Sequence, residues 1–193
     1  MRAAALVTGA AAAMAAVLAA SGTAAAGGPR PGVLVEGGRF APLAEGAPVP
    51  GAVTYDTELV PPGARAVVAQ RVAGDGRMSV VLAVRGLVPG HTYGSHVHTD
   101  PCGADPADAG PHYQDVAGEA TPRNEIWLDV TADEHGRGWA AVTQDWVFRP
   151  GEAGALVLHE HATSDGHHGT TPGDAGDRAA CLTVPFLGGP AAG

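Results

Sequence analysis

The chain has 193 residues, a length suited to one compact domain with tails, and carries a net charge of −9 from 11 Lys+Arg against 20 Asp+Glu. Every one of those cations is an arginine, and none is clustered into a basic stripe, which argues against nucleic acid as a partner. Aromatic residues make up only 5% while there are 29 glycines and 16 prolines, a mixture that favours short strands joined by turns over a helical bundle.

Residues 1–26 read as an export signal. Arg2 supplies the positive start, "AAALVTGAAAAMAAVLAA" is a mildly apolar run, and Ala24 and Ala26 occupy the positions of an A-x-A cleavage site, with cleavage expected after Ala26. Alanine is too weakly apolar and the run too short to hold a spanning helix well, and no other stretch could cross a bilayer. A secreted or extracytoplasmic location follows. Residues 27–50, loaded with Gly and Pro, read as a flexible linker, and 188–193 as a disordered tail. The folded domain is expected at 51–187.

Within it, short extended segments alternate with turn signals. "AVTYDTEL" (52–59) comes first, then "RAVVAQRV" (65–72) and "RMSVVLAVRG" (77–86) either side of an "AGDG" turn. "HTYGSHVH" (91–98) precedes a long irregular stretch at 99–124. "EIWLDVTA" (125–132), "GWAAVTQDWVF" (138–148), "GALVLHE" (154–160), a second irregular stretch and "AACLTVPF" (179–186) complete the series. Roughly eight strands without a sustained amphipathic helix predict an all-β antiparallel sandwich or barrel, with function on its two long loops. Trp127, Trp139 and Trp146 fall in predicted strands and are expected in the core.

Export also governs how the two cysteines are read. Outside the cell Cys102 and Cys181 should be oxidised to each other, although two thiolates holding a soft metal remain the competing reading. A cystine closing so long a loop stabilises by about 4–5 kcal/mol in the chain-entropy account.

The chemistry concentrates in histidines. In "GSHVHTDPC", His96 and His98 stand at i and i+2, so a strand turns both rings to one face about 6.5–7 Å apart, close enough to share an ion. Two exposed surface histidines have the same spacing. "DAGPHYQ" places His112 in the first long loop, and "LVLHEHA" places His159 at the end of an apolar strand before the second.

Taken in order, "GSHVH", "AGPHY", "LVLHEHA" and "AGDRAAC" resemble the copper/zinc superoxide dismutase family, well over residues 77–186 and more loosely from 52. The resemblance implies an eight-stranded Greek-key β-barrel, one copper ion per chain held by His96, His98, His112 and His159, and an active-site arginine at Arg178. A four-nitrogen set suits Cu(II), and a permanent cation beside it suits a small anionic substrate, superoxide. His112 takes the role of the ligand that detaches and carries a proton.

One part of the family pattern is missing. Its zinc site needs two further histidines after His112, and "YQDVAGEATPRNEIW" contains none. The chain therefore looks like a zinc-free, copper-only branch. The ring nitrogen of His112 that would face zinc then needs another partner, and Glu125 in "RNEIWLD" is the expected one; an exposed strand-edge glutamate is the alternative. The resemblance implies a dismutase converting superoxide to oxygen and hydrogen peroxide. A non-catalytic exported copper-binding domain and a histidine-bound hydrolytic zinc are the competing readings. Whether the barrel pairs as a homodimer is not legible in the pattern.

Overall fold

The computed structural model describes residues 31–189; the export signal expected at 1–26 and the outer ends of the expected linker and tail lie outside them. The described residues are all-β with two short 3-10 turns, and the strands lie in two principal sheets. β1 (Gly32–Arg39), β4 (Arg65–Val72), β5 (Met78–Arg85) and β9 (Arg137–Gln144) form an antiparallel sheet in the order β1-β4-β5-β9. β2 (Ala41–Pro42), β3 (Ala52–Thr54), β11 (Arg178–Thr183), β10 (Ala155–His159) and β7 (Ser95–His98) form the second, in the order β2-β3-β11-β10-β7. β6 (Thr92–Tyr93) and β8 (Val130–Thr131) make a small third pair.

The two sheets stack through their alternating inner faces. Val68, Val80 and Leu82 from the first meet Val97, Leu156, Leu158 and Leu182 from the second in one buried cluster. Every second residue of β4 and β5 is buried and its neighbours face outward, which is the period-2 pattern expected of them. Tyr113, Trp146, Phe148 and Phe186 close one end with edge and stacked ring contacts.

Several expectations are corrected. The expected all-β antiparallel fold is present in its sandwich form, since the two principal sheets stay separate and do not close into a barrel; the strand count differs, with eleven among the described residues rather than eight. Part of the expected linker is structured: Gly32–Arg39 pairs along its whole length with β4. Its glycines are close-packing devices there, because a Cβ on Gly38 would lie 2.4 Å from Ala52 Cβ and 2.9 Å from Leu182 Cδ1. The beginning of the expected tail is tied down too, through Gly189 N donating to the carbonyl of Phe148. Trp139 is 73% exposed instead of buried in the core, and Trp127 and Trp146 are half-buried. The arginines do cluster, in space if not in sequence: the register of the first sheet places Arg39, Arg65, Arg85 and Arg137 side by side.

Two long connections flank the second sheet, residues 99–129 and 160–177. The Cys102–Cys181 disulfide (S–S 2.03 Å) fastens the first of them to β11, next to β10 and β3. No helix of the described residues is long and apolar enough to cross a membrane.

Candidate metal centre

β7 is the source of the site. Val97 turns into the core, so the alternation of the strand sends His96 and His98 to the outer side of the sheet, where the long loops cover them completely. β7 pairs with β10, which ends in His159; a register shift between Leu158 and His159 tilts that last ring toward the other two. His112 arrives from the first long loop through an isolated bridge to His98. One nitrogen from each of His96, His98, His112 and His159 lies within 4.8 Å of all the others. The rings come from three distant parts of the chain.

The outer nitrogens decide which atoms face inward. His98 Nδ1 donates to the carbonyl of Gly110 (2.9 Å), His159 Nδ1 to the carbonyl of Gly176 (3.2 Å), and His112 Nδ1 to Oε2 of Glu125 (2.9 Å). A carbonyl or carboxylate only accepts, so each of these nitrogens carries the proton. His96 is reversed. Its Nε2 lies 2.6 Å from Thr163 Oγ1, whose own hydrogen goes to Oδ1 of Asp129 (2.5 Å), leaving the hydroxyl oxygen to accept from the imidazole. Three Nε2 lone pairs and one Nδ1 lone pair therefore converge, with His96 Nδ1 3.0 Å from His112 Nε2 and His98 Nε2 3.2 Å from His159 Nε2. Unshared lone pairs turned on one another in a buried site repel until a cation lies between them. The donor set thus fits a metal ion.

The electrostatics agree with that geometry. Burial, then the neighbouring rings, pushes the pKa of His96 far below the ordinary imidazole value. Burial lowers His98 to about 2 and His159 to about 4. Burial alone would raise Glu125, but hydrogen bonds from His112, Gln114 Nε2 (2.7 Å) and Trp127 Nε1 (2.7 Å) outweigh it and hold the carboxyl below its usual range. The carboxylate is therefore charged, fully partnered and 1% exposed.

Arg178 begins β11, and its charge is among the influences that lower His98 and His159. It donates to the carbonyls of Pro106 (2.6 Å) and Gly110 (2.7 Å) and lines a cleft with Tyr55 and Asp105. The route to the histidines is a neighbouring groove of about 410 Å³ bordered by His112, His159 and the 171–176 turn. The carbonyl of Gly110 connects the two, since it also accepts from His98. His161, His167, His168 and His135 are exposed, and His91 bonds the carbonyl of Glu160. Asp129 escapes sequence reasoning altogether: no spacing rule relates it to His96, and only the fold brings Thr163 between them. His96, His98, His112, His159, Glu125 and the cystine are brought together as one structure.

No family model matches the chain, and no curated protein matches it. Among solved structures, one described as the clock protein EA4 is 24% identical, with a TM-score of 0.49, over 64% of this chain and 88% of that one. That similarity is too low to transfer a function.

Proposed function

We propose that the protein is an exported copper-dependent superoxide dismutase that binds one copper ion per chain and no zinc. The observation that carries the reading is the set of four inward lone pairs, each fixed by an acceptor on the far side of its ring. An all-nitrogen set of this kind suits copper, whose +2 and +1 states supply one-electron exchange: one superoxide is oxidised to oxygen, a second reduced to peroxide with two protons taken up. Glu125 sits where a second metal would need the Nδ1 atom of His112, which supports a centre without zinc.

The protein's own groups supply the rest. His112 is the most exposed of the four rings, at 20% of its side chain, and opens on the groove. It is the ligand placed to exchange a proton with water at Nε2, while Glu125 retains the proton on Nδ1 and returns the ring to the same orientation. On a chain of net charge −9, the guanidinium of Arg178 supplies a local attraction for a small anion. His96 and His98 are fully buried, so a substrate approaches past His112 and His159 along the groove, which meets the Arg178 cleft at Gly176.

The test is metal analysis of the purified protein followed by superoxide consumption by copper-loaded protein. One copper per chain with rapid consumption supports the reading; copper bound without consumption selects the non-catalytic copper-binding alternative, which the tethering of Arg178 to two loop carbonyls favours. Preferential zinc binding with no redox activity would overturn both.

A further inference from the structure

The first sheet presents a feature on the side away from the metal centre. Arg39 and Arg85 end β1 and β5, while Arg65 and Arg137 begin β4 and β9, all at one end of the sheet. The register makes them direct neighbours: Arg39 opposite Arg65, Arg65 opposite Arg85, Arg85 opposite Arg137. At about 4.8 Å per strand the row is about 14 Å long. All four side chains are exposed, and none is ion-paired or hydrogen-bonded through its guanidinium among the described residues. Like charges placed directly opposite on adjacent strands destabilise a sheet, so the row is an unbalanced charge.

Its surroundings extend the anomaly. A groove of about 430 Å³ runs along the row, lined by Arg39, Arg65 and Arg85 with Gly37 and Val67 beside them. Beyond the row the middle of the same face is apolar, with Val35 63%, Val67 45%, Val81 37% and Trp139 73% exposed, and its far end adds a fifth arginine, Arg71, beside Val33 (70%), Ser79 and Thr143. The outward positions of the four strands include no Asp or Glu, although the chain carries 20 of them.

We propose that this face docks on a lipid bilayer bearing anionic phospholipid headgroups, the arginine row against the phosphates and Trp139 with the valines at the boundary of the acyl region. Charge complementarity requires an anionic occupant. A second copy of this chain fails that requirement, because the same face of the partner would bring more guanidinium groups and no carboxylate. A soluble polyanion would satisfy the arginines and leave the apolar rows wet. A face that is cationic along one edge, apolar with an exposed tryptophan across its middle, and without a carboxylate at its outward strand positions matches the chemistry of an anionic bilayer surface. Docking there leaves the metal centre open to solution, because His96, His98 and His159 leave the second sheet on its outer side, across the sandwich. The inference is independent of what the metal centre does.

Flotation with vesicles tests it, using phosphatidylcholine alone and phosphatidylcholine mixed with phosphatidylglycerol. The protein should bind the mixed vesicles and not the neutral ones, lose affinity as salt rises, and show a blue shift in tryptophan emission. Arg65→Ser with Arg85→Ser should weaken binding roughly thirtyfold. Trp139→Ser should remove the shift and weaken binding while leaving the thermal midpoint unchanged, which keeps the test usable if the double variant folds poorly. Absence of binding to the anionic vesicles overturns the proposal, as does binding indifferent to both variants. Tight binding to heparin or duplex DNA without vesicle binding assigns a soluble polyanion instead, and self-association abolished by Trp139→Ser assigns a dimer face; either result also overturns it.

Discussion

Each imidazole of the cluster has one nitrogen spent on a specific acceptor, and the acceptors differ in kind. Glu125 is charged and receives three hydrogen bonds, so it holds His112 more firmly than a carbonyl would. Glu125→Gln should lower metal affinity by about 10–100-fold, read by competition with a chelator. It should also change the pH profile of any superoxide consumption; no change in either would remove Glu125 from its positioning role. Thr163 acts through a different route, relaying the Asp129 carboxylate to His96. Thr163→Val keeps the shape and deletes the acceptor, so the His96 tautomer is no longer specified. Metal affinity should fall by about tenfold or more, with the fold intact by circular dichroism. His96 and His98 were legible in the sequence because i, i+2 alternation is a local property, whereas His112 and His159 joined them as one ligand set only through the family resemblance. Asp129 was not legible, since a relay through Thr163 exists only when residues 34 apart meet.

At the level of single elements, β1 shows how composition misleads. Glycine and proline between 27 and 50 signal a linker, yet Gly38 is needed where the strand passes within contact of Ala52 and Leu182. Gly38→Val should therefore destabilise the fold by about 1–3 kcal/mol, measured by denaturant unfolding, because neither backbone nor core can move aside freely. The first long loop owes its position to the cystine as much as to hydrogen bonds. Replacing Cys102 and Cys181 with alanine removes a cross-link 79 residues apart in sequence and should cost about 4–5 kcal/mol, with a lower thermal midpoint. Metal affinity should drop with it, since the carbonyl of Gly110 that orients His98 belongs to the same loop.

Over the whole molecule, burying imidazoles without protons links stability to pH. His96, His98 and His159 have folded values below the ordinary 6.5, so the unfolded chain takes up protons that the metal-free folded state does not. Their contribution is fully present above about pH 6.5 and is lost as pH falls toward the His159 value of about 4. Thermal unfolding of metal-free protein should show that decline, and a midpoint independent of pH from 7 to about 4 would contradict the neutral, lone-pair-inward arrangement. Strand periodicity, the pairing of His96 with His98 and the acidic balance of the chain are determined by the sequence alone, because each depends on residues near one another or on a simple sum. Which strands neighbour which, and in what register, is set by the packing of two sheets around a shared core. That long-range choice gathers four rings about one point, and on the opposite side it draws four arginines, scattered from 39 to 137, into a single row.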